Sequence, residues 1–205
     1  VVARACKHLV SLDPAFSQIV DQVGPVRFLP PRNDHFAYLV RSIVYQQLAG
    51  AAAKTIHGRL HDAVGGEVTP VALLKLAEDQ YRAAGISRNK FLAIFDLASR
   101  LANGELLLDT KTLSRLSDLE VVEHLSEVRG IGPWTAQMFL MNQLRRIDVW
   151  PTGDLGVRKG FGIIHNTAMP TPKELEILGE NLRPYRSVAA VYCWRIVDQQ
   201  DRMTT

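Results

Sequence analysis

The stretch VRGIGPW, Val128 to Trp134, decides the fold. A helix predicted from Ser117 or Asp118 to about Glu127 runs into it, and PWTAQMFLMNQL leaves it as a second helix. Gly130 and Gly132 flank the apolar Ile131. Glycines permit the positive φ of a tight turn and leave no Cβ between backbone and ligand, so amides at the start of the second helix, from Gly132 to Thr135, can meet a phosphate. Pro133 suits a first helical turn, where its missing N–H would have no partner. Such turns also join helices that bind nothing, so the hairpin alone leaves both readings open.

Outward from the hairpin, apolar positions recur at helical spacing and period-2 runs are scarce, which predicts an all-α chain of about ten helices. Pro14 to Val23 reads as the first clear helix. Phe28-Leu29-Pro30-Pro31 is a connector, and Asn33 or Asp34 starts a central helix with Phe36, Leu39, Val40, Ile43, Val44 and Leu48 on one stripe. Gly50 is expected to break it. A second helix should end at Gly65-Gly66, short ones lie around Val71–Leu76 and Glu78–Ala84, and another runs from Lys90 to Asn103. Thr171-Pro172-Lys173-Glu174 is a capping box, and the last helix spans about Tyr185 to Asp198. The expected organisation is two-lobed: roughly 34–125 as one helical lobe, and 1–33 with 126–205, hairpin included, as the other.

The 205 residues suffice for a sizeable core, 47% are hydrophobic, and no low-complexity run or repeat stands out. No apolar run reaches the roughly 18 residues of a membrane span, and VVARACKHLV lacks a signal-peptide h-region, so an intracellular protein without a membrane partner is expected. Two cysteines, Cys6 and Cys193, cannot form a four-Cys metal or iron–sulfur site, and His57 and His61 lack a further acidic ligand for zinc. Between Val128 and Gly160, Arg129, Arg145, Arg146, Arg158 and Lys159 outnumber Asp148 and Asp154 by three, equal to the whole net charge of +3. That surplus suits a polyanion but is also within chance.

Asp154 follows Trp134 by twenty residues, inside VWPTGDLGVRKG, Val149 to Gly160. Asp ahead of LGVRKGF is a good N-cap, and the cap reading and a chemical role are compatible. The segments RSIVYQQLAGAAAKTI, GISRNKFLAIFDLA, VRGIGPWTAQMFLM, IDVWPTGDLGVRKGF and LRPYRSVAAVYCWR together resemble the helix–hairpin–helix DNA glycosylase superfamily. Within it the chain is most similar to the AlkA or yeast Mag type of 3-methyladenine DNA glycosylase II, in a compact form without the N-terminal sheet lobe. The resemblance implies an all-α, two-lobed fold with a DNA-binding groove between the lobes. Its implied partner is double-stranded DNA containing alkylated bases, its implied state a monomer, and its location bacterial cytoplasm or a nucleus. A non-catalytic helix–hairpin–helix DNA-binding module is the alternative; it would not need the acid at 154.

The implied reaction hydrolyses an N-glycosidic bond through an oxocarbenium-like transition state, which a nearby carboxylate stabilises. At about 4 Å and an effective dielectric near 20 the attraction is roughly 4 kcal/mol, about a thousandfold in rate if realised only in the transition state. Asp154 is the expected catalytic group, by electrostatics or by handling the attacking water. The lyase branch of the superfamily has a lysine where this chain has Trp134, so no Schiff base and no abasic-site lyase activity are expected.

An alkylated base is cationic, so the pocket calls for electron-rich faces worth about 0.5 to 2 kcal/mol each. The resemblance places Trp134, Met138 and Tyr185 there, with Trp150 and Tyr38 as further candidates, while each aromatic taken alone is more often core; Trp194 is assigned to the core. For filling the hole left by a flipped base, Gln47 is the expected wedge with Gln46 beside it. Arg88, in the turn Ser87 to Lys90, is a candidate backbone contact, as are Gly130, Ile131, Gly132 and Thr135. No cofactor and no iron–sulfur cluster is expected. A monovalent cation, Na+ or K+, is implied at the carbonyls of Ser126, Val128 and Ile131.

Overall fold

The computed structural model describes residues 2–26, 28, 30–31 and 34–203. Regular structure among the described residues is helical, with no strand. Thirteen α-helices occur among them: α1 Val2–Leu12, α2 Ser17–Val23, α3 His35–Tyr45, α4 Gly50–Ala63, α5 Pro70–Lys75, α6 Glu78–Ala83, α7 Arg88–Ala102, α8 Thr110–Leu113, α9 Asp118–Ser126, α10 Pro133–Asn142, α11 Leu155–His165, α12 Pro172–Gly179 and α13 Arg186–Met203. The all-α expectation holds. Helix α1 was not foreseen, and the helix expected from Pro14 is a 3-10 turn, Pro14–Phe16, followed by α2. Helix α3 stops at Tyr45, before Gly50, and Gly50 instead opens α4. Asn33, one of the two candidate starts of α3, lies outside the described residues; the other, Asp34, is the N-cap, its Oδ1 accepting from the amides of Phe36 and Ala37.

The chain divides into two compact units, Pro31–Phe139 and Val1–Pro30 with Leu140–Thr205. The division falls inside α10, not near residue 125. The hairpin therefore belongs with the central helices instead of with the chain ends. Its physical reason is the set of polar bonds, described below, that α3 and α7 make to it.

In the unit Pro31–Phe139, α7 packs on α3, α5 and α6. Phe36, Leu39, Val40, Ile43 and Val44 of α3 and Ala93, Ile94, Leu97 and Ala98 of α7 are buried, each large apolar side chain contributing about 1.5–3 kcal/mol. The Tyr81 hydroxyl, fully buried, donates to Leu73 O at 2.9 Å, which fastens α6 to α5. Ser117 and Glu120 form a capping box that fixes the start of α9 and so the approach to the hairpin.

In the other unit α13 is the hub, packing on α11, α1 and α2. Val188, Ala189, Ala190, Tyr192 and Cys193 are buried along it. Gly156 and Gly160, one turn apart, put a side-chain-free strip of α11 against α13. A Cβ on Gly160 would run into the backbone carbonyl of Cys193, and one on Gly156 would stand 2.8 Å from Trp194 Cδ1. Close approach of α11 to α13 therefore depends on both glycines. That approach sets the position of the residue capping α11, Asp154.

Candidate active site and nucleic-acid surface

The hairpin is built from the backbone outward. Gly130 has φ +76°, the left-handed region that favours glycine, and a Cβ there would come within 3.0 Å of Ala93 Cβ. Gly132 does not need a positive φ, contrary to expectation. A Cβ on it would meet nothing within 4 Å among the described residues. Ile131 is buried, its amide bonds to Val128 O at 3.0 Å, and Ala136 N–H to Gly132 O at 3.1 Å begins α10. Gly132, exposed and without a side chain, precedes a ten-residue helix, so no Cβ there screens the helix start from an approaching anion.

Two side chains hold this turn. Asp96 Oδ2 of α7 accepts from Arg129 N–H at 2.8 Å while Arg100 bonds the same carboxylate. Gln46, just past α3, donates from Nε2 to Gly130 O at 2.9 Å and lies 3.4 Å from Thr135 Oγ1. Gln46 is thus turned onto the hairpin rather than outward. Thr135 is buried, whereas Gln46 is half-buried. Gln47, the expected wedge, is exposed and carries φ +56°. Arg88 is exposed in the first turn of α7, whereas Lys90, from the same expected surface turn, points its ammonium onto backbone carbonyls.

Three base-pocket candidates cluster in this unit. Trp134 is 48% exposed at the start of α10, and Met138 stands one turn later, half-buried. Tyr38 Oη donates to Met138 O at 3.3 Å, and its ring meets Phe139 edge-on at 5.8 Å. Trp134 is thus an exposed aromatic at the start of α10.

In the other unit Asp154 is both a cap and part of a polar cluster. Its Oδ1 accepts from Val157 N–H at 2.8 Å, the N-cap bond of α11, and from Trp194 Nε1–H at 2.9 Å. Two donors on one oxygen fix the plane of the carboxylate. Behind it, burial and then the negative charge of Asp154 push the Cys193 thiol upward, so it stays protonated. Trp194 is half-buried and bonded to the acid, not simply core as expected. Its partner lies forty residues away, and no local signal in the sequence pairs them.

The remaining candidates separate. Trp150, expected in the base pocket, is only 6% exposed; its Nε1 donates to Leu175 O at 2.9 Å and its ring meets Phe161 edge-on. It is core, lodged where Gly179 lacks the Cβ that would collide with the indole. Tyr185 is half-buried with its ring edge-on to His8 of α1 at 5.3 Å. Next to it, Arg186 grips Asp148 through Nε and Nη2 at 2.9 and 3.0 Å and donates to Asp148 O, anchoring the loop that leads to Asp154. The basic surplus is partly consumed internally: Arg158 donates to Pro170 O and Lys159 pairs with Asp201.

A known family profile matches residues 40–184, described as HhH-GPD superfamily base excision DNA repair protein. The chain belongs to that superfamily. The HhH-GPD match includes the hairpin, Gln46, Gln47, Arg88, Trp134, Met138, Trp150 and Asp154, and leaves Tyr38, Tyr185 and Trp194 outside it. DNA-3-methyladenine glycosylase 1 of Schizosaccharomyces pombe is 33% identical over 202 residues, covering 95% of this chain and 87% of the relative. Among solved HhH-GPD structures, a DNA-3-methyladenine glycosidase of Bacillus halodurans superposes with a TM-score of 0.85 at 34% identity, over 97% of this chain and 91% of that one. The S. pombe 3-methyladenine DNA glycosylase Mag1, solved in complex with abasic DNA, gives 0.83 at 31% identity over 94% and 95%.

Proposed function

We propose that the chain is a monofunctional DNA glycosylase of base excision repair that flips alkylated bases out of double-stranded DNA and hydrolyses their N-glycosidic bond. Similarity to relatives named for 3-methyladenine supports the substrate class, with 3-methyladenine and 7-methylguanine as leading lesions. The observation that carries the chemistry is Asp154, a carboxylate fixed by the Val157 amide and the Trp194 indole. Such a preorganised charge stabilises developing oxocarbenium character with little reorganisation. Trp134 stands where a lyase needs an amine, so the product is an abasic site and strand cleavage does not follow.

The hairpin amides would hold a backbone phosphate, with Arg88 as a further contact, and Gln47 would occupy the space of the flipped nucleotide. Trp134, Met138 and Tyr38 are proposed base-contacting residues of one unit, and Tyr185 is a proposed one of the other. The carbonyls of Ser126, Val128 and Ile131 would hold a monovalent ion at this tight turn, a reading supported by Ser126 Oγ, which is buried without a hydrogen-bond partner. Bound there, Na+ or K+ would add positive charge beside the phosphate. No helix among the described residues is long and apolar enough to cross a membrane. The proposed partner places the protein with the genome, in bacterial cytoplasm or a nucleus, acting as a monomer.

Incubating the protein with methylated duplex DNA and separating free bases by chromatography tests the reading. Release of 3-methyladenine or 7-methylguanine supports it. Salt-sensitive DNA binding without release of any base from a lesion panel would leave a binding module in its place.

A further inference from the structure

Lys90 looks from the sequence like a surface cation, yet its ammonium is turned inward. Its Nζ donates to Val44 O and Gln46 O, both at 2.8 Å, and burial lowers its pKa. These are carbonyls that the end of α3 leaves without helical partners, and a cation there also meets the negative end of the helix dipole. The same Gln46 reaches the hairpin through its side chain, at Gly130 O. The residue after it, Gln47, is a non-glycine held at φ +56°. That conformation is costly for an L side chain and persists only where the surroundings over-determine it. Leu48 N–H closes the turn weakly on Tyr45 O at 3.4 Å, so the strong bonds at the turn come from Lys90 and Gln46.

We propose that Lys90 is a positioning residue for distortion of the duplex: it locks the Gln46–Gln47 turn and registers it on the hairpin, presenting Gln47 at a fixed distance from the phosphate-binding amides. The proposal rests on the glycosylase reading for its ligand, duplex DNA, and not for its chemistry. A lysine that binds phosphate directly would need its ammonium in solvent. Here two of its bonds are made to backbone carbonyls of its own unit, and the side chain acts through Gln47.

The test reads unstacking, not catalysis. Duplex DNA carrying 2-aminopurine beside an abasic-site analogue is saturated with protein, and the rise in fluorescence is recorded for wild type, Lys90→Met, Gln47→Ala and the double variant. Expected are a loss of most of the rise in each single variant, a double variant no worse than Gln47→Ala, and DNA affinity of Lys90→Met within about threefold of wild type. The salt slope of binding should be unchanged in Lys90→Met, because a lost phosphate contact would reduce it by about one. Lys90→Arg, which can still donate to the carbonyls, should regain at least part of the signal; if Lys90→Met does not fold, Lys90→Arg and Gln46→Ala carry the comparison with Gln47→Ala. A normal rise in Lys90→Met, losses that combine independently in the double variant, or a reduced salt slope would each overturn the proposal. Wild type giving no rise would also overturn it, whereas failure of the glycosylase reading is seen separately, as absence of base release.

Discussion

Replacing Trp194 by Phe tests the mounting of Asp154. The change keeps an aromatic ring against α11 and deletes the Nε1–H that bonds Asp154 Oδ1 at 2.9 Å. Hydrogen bonds to charged groups contribute about 1.5–3 kcal/mol, and about 1.4 kcal/mol is tenfold in rate, so loss of the donor should slow the chemical step about 10- to 100-fold if its whole effect falls in the transition state. The Val157 amide still bonds the same oxygen, which keeps α11 capped and the fold intact. The assay is single-turnover release of 7-methylguanine from methylated duplex at saturating protein, with DNA affinity and melting temperature measured alongside. A slowed chemical step at unchanged affinity is expected. A Trp194→Phe rate within about twofold of wild type, well short of the roughly tenfold that is the smallest effect derived above, would refute a role for the indole in holding the acid.

Gly160→Ala should destabilise the protein by at least the 1–3 kcal/mol typical of overpacking, because its Cβ meets the Cys193 carbonyl and not a yielding side chain; urea titration giving a loss under about 0.5 kcal/mol would contradict the close approach of α11 to α13. Capping lowers the pKa values of Glu120 and Glu174 through hydrogen bonds from Ser117 and Thr171. Their stabilisation is therefore complete above the ordinary carboxyl value of 4.5 and is lost as pH falls through the lower folded values, so Glu120→Gln/Glu174→Gln should show a smaller drop in melting temperature between about pH 5 and 3 than wild type. Borohydride added during reaction should trap no covalent protein–DNA adduct, since Trp134 offers no amine; a trapped adduct would refute the monofunctional assignment.

Local chemistry carried much of the fold in readable form. Thr171 with Glu174 forms the capping box that the spacing predicts, Ser117 caps its helix as expected, and the apolar stripe is buried from Phe36 to Val44, although Leu48, expected on it, lies beyond α3 and is exposed. Gly130 was legible because only a glycine takes its φ without strain, whereas Gly132 reads the same in sequence and plays a different part. What stayed hidden depends on contacts between distant segments. Trp150 and Trp194 are indistinguishable as letters: one is packed against Gly179 and the other bonds the acid. The inward turn of Lys90 ends on carbonyls, which every residue possesses and no sequence marks. The placement of the hairpin followed from Asp96 and Gln46, side chains whose partners are backbone atoms 33 and 84 residues away.

The central claim is that the charge of Asp154 drives bond cleavage, and Asp154→Asn removes that charge while keeping an Oδ1 to accept from Val157 N–H. The decisive measurement is the single-turnover rate of base release from methylated duplex DNA by wild type and Asp154→Asn. Roughly 4 kcal/mol of transition-state attraction predicts a loss of about a thousandfold with DNA binding retained. Release by Asp154→Asn within about tenfold of wild type, amounting to at most about 1.4 kcal/mol, would contradict it.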